Sequence, residues 1–245
     1  MESIIGDMIT FLDLGGYGRL GNQMFQIAST MGIARRIGLP CVFPPWEYAR
    51  HFKLEIPQSR RRDSLHGYKW QLYEEQGAGY REIVLDPQIN WNLHGYFQSW
   101  RYFENIKHQL QTVYFAFVGN TTSLPYTSIH VRRGDYEQRR NVHFDLWPDY
   151  YREAMRVIEG PYLVFSDDIE WCRKHFKGVV YCHIKDPIDA MHIMSRCQDN
   201  IIANSSFSWW AAYLNRNLDK RVIAPNNYVV GETSDDRLPS EWIRV

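Results

Sequence analysis

The sequence has no net charge and no apolar segment long enough to cross a bilayer. Its 28 basic and 28 acidic side chains balance, so no overall field draws the chain to nucleic acid or to an anionic membrane. No stretch approaches the ~20 apolar residues that a membrane-spanning helix needs. We therefore expect neither nucleic acid nor the bilayer interior as a partner, and any anion site must be local. Nothing in the composition indicates an oligomeric state.

Cysteine is scarce, and the four cysteines show no Cys-x-x-Cys spacing, which is the spacing of many metal and redox sites. Three of them lie in or beside apolar runs, which favours a reducing compartment. Glu2, Asp7 and Asp13 interrupt the first apolar run and no basic leader precedes it, so the pattern does not predict a secretory signal peptide. We expect a cytoplasmic protein, and attachment to a membrane surface stays open.

Common metal-binding and phosphate-binding motifs are also missing. There is no Asp-x-Asp, and the nine histidines have no His-Glu-x-x-His or similar ligand spacing. The phosphate loop of many kinases and ATPases, Gly-x-x-x-x-Gly-Lys followed by Ser or Thr, does not occur. We therefore predict no metal site, and the charge on a departing phosphate would have to be neutralised by arginine and helix amides.

The first half begins with the element order of a nucleotide-binding fold. A predicted strand over 8–14 leads into a glycine-rich turn, and a helix then begins at Asn22 and stops at Gly38. A second short strand over 41–43 follows, and a further strand is predicted over 92–98. Strand, glycine loop, helix and strand in this order indicate an α/β unit.

The middle of the chain shows no sustained hydrophobic period. Residues 46–90 are predicted to form loops and short helices, with the arginine run 60–62 as solvated surface. The polar, glycine-containing segment 119–125 is the best linker candidate. We therefore expect an N-terminal domain over 1–122 and a C-terminal domain over 123–245.

The second half alternates strand-like and helix-like segments. The predicted strands are 126–131, 161–166, 179–182, 200–203 and 221–224, and the predicted helices are 149–159, 169–176, 187–197 and 207–217. Strands that alternate with amphipathic helices indicate a parallel sheet with right-handed crossovers. The C-terminal tail is expected to pack back on the body through Trp242.

Polar side chains follow three of these strands. The arginine cluster, after the first strand, is His130, Arg132, Arg133 and Asp135. The aspartate pair, after the second, is Asp167 and Asp168. The serine cluster, after the fourth, is Asn204, Ser205 and Ser206. Because ligands bind outside the carboxyl ends of the strands in an open parallel sheet, we expect the three segments to meet at one edge. Taken singly, each also fits an ordinary helix cap or a solvated charge.

Together the three clusters predict a nucleotide site. Arginine presents a rigid, always charged fork of donors that suits phosphate. The serine cluster opens a predicted helix whose amides and positive dipole end can bind phosphate oxygens. The aspartate pair can accept hydrogen bonds from a ribose hydroxyl or from base amino groups, and a carboxylate suits the adjacent N–H donors of guanine. Capping of the next helix is the alternative role for the pair.

A glycine loop in the first half supports a competing interpretation. Gly16, Gly18 and Gly21 match the Gly-x-Gly-x-x-Gly fingerprint after a strand and before a helix, so an NAD-dependent Rossmann oxidoreductase is the alternative function. That fingerprint also calls for an acidic residue at the end of the second strand. Here this strand ends in Phe43-Pro44-Pro45, and the arginine-bearing half would have no role.

The chain resembles the family 11 glycosyltransferases, the alpha-1,2-fucosyltransferases. The resemblance rests on five motifs in order along the chain, at residues 18–26, 95–98, 130–136, 165–172 and 204–210. The His-x-Arg-Arg-x-Asp pattern of the third motif is also similar to that of the alpha-1,6- and protein O-fucosyltransferases. The resemblance implies a GT-B-like fold, with two Rossmann-like parallel-sheet domains that face each other across a cleft.

The same resemblance implies an activity. GDP-L-fucose would be the donor substrate, with no cofactor and no metal, and transfer would proceed with inversion to a sugar 2-hydroxyl of a glycan, with a galactoside as the expected acceptor. A fucosyltransferase of another linkage and a carbohydrate-binding protein without activity remain alternatives.

Roles for individual residues follow from the resemblance. Arg132 corresponds to the β-phosphate ligand, and Asn22 would lie across the cleft from the serine cluster. The implied donor-binding residues are Gly18, Gly21, His130, Arg132, Arg133, Asp167, Asp168, Asn204, Ser205, Ser206 and Phe207, and the implied catalytic residues are Asn22, Arg132 and Asp135. The sequence does not identify the general base: Asp135 fits better as support for the arginines, and Asp13 and His94 are the other candidates.

Overall fold

The chain folds into two compact α/β units. The structure is a computed structural model that describes residues 7–53, 56–134, 144–229 and 236–245. The units are Met1–Val118 and Gly119–Val245, and each contains its own parallel sheet. The predicted α/β class is confirmed, and two such units are what a GT-B-like fold requires. No helix in the described ranges combines the length and the apolar character needed to cross a membrane.

The first unit contains a three-stranded parallel sheet in the order β1-β3-β2. Its elements are β1 (Ile9–Thr10), α1 (Leu20–Ile37), β2 (Gln71–Glu74), β3 (Trp91–His94) and α2 (Lys107–Gln109), with 3₁₀ turns at Ala49–His51, Arg62–Leu65, Trp100–Tyr102 and Glu104–Ile106 and a π turn at Leu110–Tyr114. Gly38 ends α1 at φ 77°, a left-handed position that favours glycine. The predicted strand over 41–43 is reduced to isolated bridges at Cys41 and Phe43.

The prediction that residues 46–90 hold only loops and short helices is wrong at β2. This strand pairs in parallel with β3 over four residues, but it lies at the edge of the sheet and none of its residues is buried. An edge strand without a buried face lacks the alternation of apolar and polar residues from which strands are predicted. The arginine run is exposed as predicted, although Arg62 also donates to the carbonyls of Leu12 and Leu14 at 2.9 and 2.6 Å.

The second unit contains a six-stranded, all-parallel sheet in the order β6-β5-β4-β7-β8-β9. Its strands are β4 (Leu124–Val131), β5 (Tyr162–Ser166), β6 (Val180–Tyr181), β7 (Cys197–Ile201), β8 (Val222–Ala224) and β9 (Ile243–Arg244), and its helices are α3 (Asp149–Val157), α4 (Ile169–His175), α5 (Pro187–Met194) and α6 (Ser206–Leu214). Every predicted strand and helix of this half is present within a few residues. Strand β9 was not predicted, and it brings the C-terminal segment into the sheet beside β8.

Aromatic side chains fix the middle of this sheet. The Tyr151 hydroxyl, on α3, donates to the carbonyl of His130 at 2.9 Å. The Tyr150 hydroxyl donates to the carbonyl of Ile223 at 3.1 Å. Trp209, on α6, is fully buried, and its ring centroid lies 5.3 Å from that of Trp242 in the C-terminal segment. Helices on the sheet faces are thus fastened to the strands by buried hydroxyls as well as by apolar packing.

The central strand carries the arginine cluster. β4 lies between β5 and β7, and the register places Val131 beside Ser166 and Ile129 beside Ile201. Because these three strands are parallel, their carboxyl ends share one edge of the sheet. The segments that follow them therefore leave the sheet side by side.

Candidate functional site

Asp167 connects the ends of β4 and β5. One carboxylate oxygen, Oδ2, lies 2.6 Å from Nη1 of Arg132, and both side chains are largely shielded, at 26% and 17% exposed respectively. The other oxygen, Oδ1, accepts a hydrogen bond from the backbone N–H of Arg133 at 3.0 Å. A single carboxylate thus fixes both the guanidinium of Arg132 and the backbone after it. A charge-assisted contact of this kind is stronger than a neutral hydrogen bond.

Gly134 allows the Asp167 carboxylate to come this close. A Cβ atom at position 134 would lie 2.6 Å from Oδ2 of Asp167, which is inside van der Waals contact. The carboxylate cannot swing aside without leaving Arg132, because Arg132 and the N–H of Arg133 hold its two oxygens. The glycine is therefore needed for space at this position.

Arg133 is held by α4. Its guanidinium lies 3.9 Å from the ring centroid of Trp171 and its Nε lies 3.5 Å from Oδ2 of Asp168. His175 stacks on the same indole at 3.8 Å and 20°, and two groups this close to one centroid must occupy opposite faces. Trp171 is thus sandwiched between an arginine and a histidine. Asp168 also caps α4 by accepting from the N–H of Trp171 at 2.9 Å.

His130 is buried and uncharged. It is 6% exposed. Burial is the larger cause and the nearby charge of Arg132 the smaller, and together they lower the pKa of its imidazole to about 3. Its Nδ1 finds no hydrogen-bond partner among the described residues. Its ring centroid lies 5.3 Å from that of Phe207, in the first turn of α6. A buried nitrogen without a partner is costly unless a ligand supplies one.

The serine cluster lies where β7 leads into α6. Ser205 occupies the N-cap of this nine-residue helix with an extended backbone, and its hydroxyl makes no cap hydrogen bond. The Asn204 side chain is buried, and its amide nitrogen donates to the carbonyls of Phe144 and Tyr228 at 3.1 and 3.2 Å. Asn204 thus ties two loops to the helix start, while the helix end presents its positive dipole beside His130.

The glycine loop belongs to the first unit. Gly18 has φ 82°, and a Cβ there would lie 2.7 Å from Cβ of Asn22. Gly21 is buried in the first turn of α1, and Oδ1 of Asn22 accepts from Nε2 of Gln98 at 2.8 Å. Gln23, also on α1, donates to the carbonyl of Gly18 at 2.9 Å. The loop is therefore fastened to its own helix and to the turn after β3.

The predicted site residues fall into three groups. The structure brings Arg132, Arg133, Asp167 and Asp168 into direct contact and sets His130 beside Phe207 at the start of α6. Gly18, Gly21 and Asn22 lie in the other unit. Asp135 lies outside the described residues, so its support of the arginines stays a prediction; among the described residues, Asp167 contacts Arg132 and the N–H of Arg133.

Two site features were not predicted as such. Trp171 was noted only as part of a motif, and its stacking on Arg133 could not be anticipated because the two residues lie on different elements. Gly134 was likewise covered only by the motif at residues 130–136. Separately, within the described ranges, no group of three or more His, Cys, Asp or Glu side chains is arranged to hold a metal ion.

Comparison with known proteins identifies relatives among glycosyltransferases. The sequence model of Glycosyl transferase family 11 matches residues 6–245. The chain is 35% identical over 133 residues to the O-antigen biosynthesis glycosyltransferase WbnK of Escherichia coli, covering 49% of this chain and 44% of that protein. It is 32% identical over 180 residues to an alpha-1,2-colitosyltransferase of Escherichia coli, covering 62% and 61%. The chain thus spans less than two thirds of the length of either protein.

More distant relatives align over more of the chain. It is 24% identical over 239 residues to galactoside alpha-(1,2)-fucosyltransferase 2 of Oryctolagus cuniculus, covering 82% of this chain and 66% of that protein. Among solved structures, it aligns with fucosyltransferase NodZ from Bradyrhizobium at a TM-score of 0.42 and 12% identity, covering 85% and 92%. A TM-score this low does not establish a shared fold, so the fold described above stands on this chain's own strands and helices.

Burial of a neutral His130 predicts a pH-dependent stability. The unfolded state takes up a proton below pH 6.5, whereas the folded state does not until about pH 3, so stability falls as pH decreases through this window. The wild-type protein should therefore have a lower free energy of unfolding at pH 4.5 than at pH 7. In His130→Phe we expect this difference between the two pH values to be smaller by on the order of 2 kcal/mol. Urea unfolding at the two pH values measures this loss. His66→Gln, at an exposed histidine, is the matched control, and an equal loss in His130→Phe and wild type would contradict the burial argument.

Proposed function

The chain belongs to glycosyl transferase family 11, and on that premise we propose that it transfers L-fucose from GDP-L-fucose to a 2-hydroxyl of a glycan. A galactoside is the proposed acceptor. The names of the relatives support this choice, because they include alpha-1,2-colitosyl and galactoside alpha-(1,2)-fucosyl transferases. The chain spans only part of the first of these relatives, so the activity of the whole protein is part of the proposal.

The observation that carries the proposal is the anchored arginine at the end of β4. Arg132 directly follows β4, is held in place by a carboxylate and is partly shielded from solvent, and the buried neutral His130 lies near the end of that strand. A pre-oriented guanidinium in a shielded site stabilises phosphate charge more than one in bulk water. The amino end of α6 adds a second positive element at this edge of the sheet.

The proposed reaction is a single displacement. The oxygen of the acceptor hydroxyl attacks the anomeric carbon of fucose from the face opposite the diphosphate and loses its proton to a base. The bond from that carbon to the phosphate oxygen breaks and GDP leaves, so the configuration is inverted. Arg132 and the first-turn amides of α6 stabilise the charge that develops on the diphosphate. His130, which stays neutral, offers its buried Nδ1 to the nucleoside. We propose that this transfer needs no metal, because arginine and helix dipole supply the positive charge.

One relative suggests a second sugar donor, colitose in place of fucose. The colitosyltransferase of Escherichia coli is 32% identical over 180 residues, whereas the galactoside alpha-(1,2)-fucosyltransferase 2 of Oryctolagus cuniculus is 24% identical over 239 residues. Colitose is fucose without its 3-hydroxyl, so the nucleotide contacts proposed above would serve both donors. The choice would then depend on the residues around the sugar.

The proposed function is tested by GDP release across donors and acceptors. We expect release from GDP-fucose or GDP-colitose in the presence of galactosides, at a rate that 5 mM EDTA leaves unchanged. We also expect GDP, and not NAD, to raise the melting temperature, since a ligand that binds only the folded state stabilises it. Loss of activity in EDTA with recovery on Mn²⁺ would contradict metal independence. Stabilisation by NAD alone would favour the oxidoreductase, and glycan binding without GDP release would favour a binding protein.

Arg132→Lys tests the phosphate ligand. Lysine keeps the charge but cannot form the bidentate contact, so we expect kcat/KM for the donor to fall by about 100-fold or more while the protein stays folded. Steady-state GDP release and circular dichroism measure the two properties. Arg156→Lys is the control, because the Arg156 side chain is 77% exposed and forms a surface ion pair with Glu153 at 3.2 Å on α3. Turnover near the wild-type value would remove Arg132 from this role.

Gly134→Ala tests the support given by Asp167. The added methyl would displace the carboxylate from Arg132 and from the N–H of Arg133, because it would lie 2.6 Å from Oδ2 of Asp167. We expect the GDP dissociation constant to rise by about 10-fold, equivalent to ~1.4 kcal/mol, by calorimetric titration. Gly67→Ala is the matched control, since a Cβ at position 67 meets no atom within 4 Å. Equal GDP affinity in the two variants would show that the Asp167 contact does not matter for binding.

A further inference from the structure

A histidine and an aspartate are paired at the carboxyl edge of the first unit's sheet. Asp13 follows β1 and His94 ends β3, and these strands are parallel neighbours. Nδ1 of His94 lies 3.0 Å from Oδ2 of Asp13, and the two side chains are 36% and 56% exposed. The pair therefore lies where ligands bind in a parallel sheet, and it is open to solvent.

The backbone around Asp13 is unusually well fixed for an exposed loop. Arg62 donates to the carbonyls of Leu12 and Leu14, one on each side of Asp13, at 2.9 and 2.6 Å. The N–H of Leu12 donates to Oδ1 of Asn92 on β3 at 2.9 Å. Most surface ion pairs are loose and contribute little. Here the strand that carries His94 and the loop that carries Asp13 are bonded to each other, so the carboxylate is held against the imidazole.

Aromatic rings hold the His94 side chain and extend beyond it. Its ring is stacked with that of Phe11, with centroids 6.4 Å apart, and lies 5.0 Å from the ring of Tyr17. Tyr17 in turn stacks on Tyr96 at 4.6 Å. Tyr96 is 41% exposed. Two tyrosine rings, one of them open to solvent, thus lie next to a polarised imidazole, and sugars bind on such aromatic faces.

The turn that presents Tyr96 is itself held in place. Oε2 of Glu75, just after β2, accepts from the N–H groups of Tyr96 and Phe97 at 2.7 and 2.9 Å. Phe97 has φ 49°, a left-handed conformation that is costly for a bulky side chain and that clusters at functional sites. A Cβ at Gly95 would lie 2.4 Å from Cβ of Glu75. Several contacts therefore hold this turn in its conformation.

We propose that His94, oriented by Asp13, is the general base that deprotonates the acceptor hydroxyl, and that Tyr17 and Tyr96 seat the acceptor sugar. This inference rests on the transfer reaction proposed above. When Nδ1–H donates to the carboxylate, the lone pair of Nε2 is left as the proton acceptor. Within the described residues, no hydrogen bond to Nε2 competes for it.

The proton and electron pairs balance in this step. The oxygen of the acceptor hydroxyl forms its bond to the anomeric carbon, and its proton passes to Nε2 of His94. The electron pair of the breaking carbon–oxygen bond leaves with GDP. The carboxylate of Asp13 stabilises the imidazolium, which later returns its proton to water. No further reactant is required.

The carboxylates beside His94 and Tyr96 favour a sugar over a phosphate at this point of the edge, while the Arg62 guanidinium is bonded to the carbonyls of the Asp13 loop. The glycine loop would otherwise suggest a phosphate site, but the Asp13 carboxylate stands at its start and the Glu75 carboxylate holds the neighbouring turn. Anionic groups repel phosphate, whereas they accept hydrogen bonds from sugar hydroxyls. The first unit is thus suited to a neutral acceptor.

Four variants test this assignment through separate kinetic constants. We expect His94→Gln to lower kcat by about 100-fold or more with little change in the acceptor KM. Asp13→Asn keeps an oxygen for Nδ1 but removes the charge that stabilises the imidazolium, so kcat should fall by about 10-fold or more. Tyr96→Ala should raise the acceptor KM by about 10-fold with kcat nearly unchanged. In His94→Ala, free imidazole should restore part of the lost kcat, which a merely structural histidine would not show.

The controls separate this inference from the proposed function. All four variants should keep the wild-type affinity for GDP, and His66→Gln should behave as wild type. A kcat within threefold of wild type in His94→Gln, or no imidazole rescue in His94→Ala, would overturn the assignment of the base. If wild type itself neither binds GDP nor transfers sugar, the proposed function fails first.

Discussion

The parallel register of β4 and β5 is the constraint on which the proposed donor site depends. It sets Val131 beside Ser166, so the residues that follow the two strands emerge together and the Asp167 carboxylate meets Arg132 and the N–H of Arg133. A guanidinium that is already oriented loses less conformational entropy when it binds an anion. The Asp167 carboxylate thereby orients Arg132, while Asp168 and Trp171 hold the side chain of Arg133.

The two units differ in chemistry as well as in strand number. The edge of the second unit combines arginines, a buried neutral imidazole and a helix start, which suits a nucleoside diphosphate. The edge of the first unit combines a carboxylate–imidazole pair with stacked tyrosines, which suits a neutral sugar. In the function that we propose, the same structural rule, that side chains after parallel strands gather at one edge, would serve two kinds of ligand in one chain.

Much of the second unit could be predicted from the sequence, because its apolar strands alternate with helices and each important strand is followed by polar residues. The contact of Asp167 with the arginines could not be predicted, since Asp167 is 34 residues from Arg133. The first unit was harder to predict for physical reasons. β2 is an edge strand without a buried face, and Arg62 supports the Asp13 loop from 48 and 50 residues away. Asp13 and His94 were seen only as separate candidates because nothing local in the sequence pairs them.

The most direct test of the central claim is a crystal structure of the protein with GDP bound. We predict that the diphosphate lies within hydrogen-bonding distance of the Arg132 guanidinium and of the first-turn amides of α6, with the nucleoside against His130. A nucleotide bound instead at the glycine loop of the first unit, around Gly16 and Gly18, would contradict it.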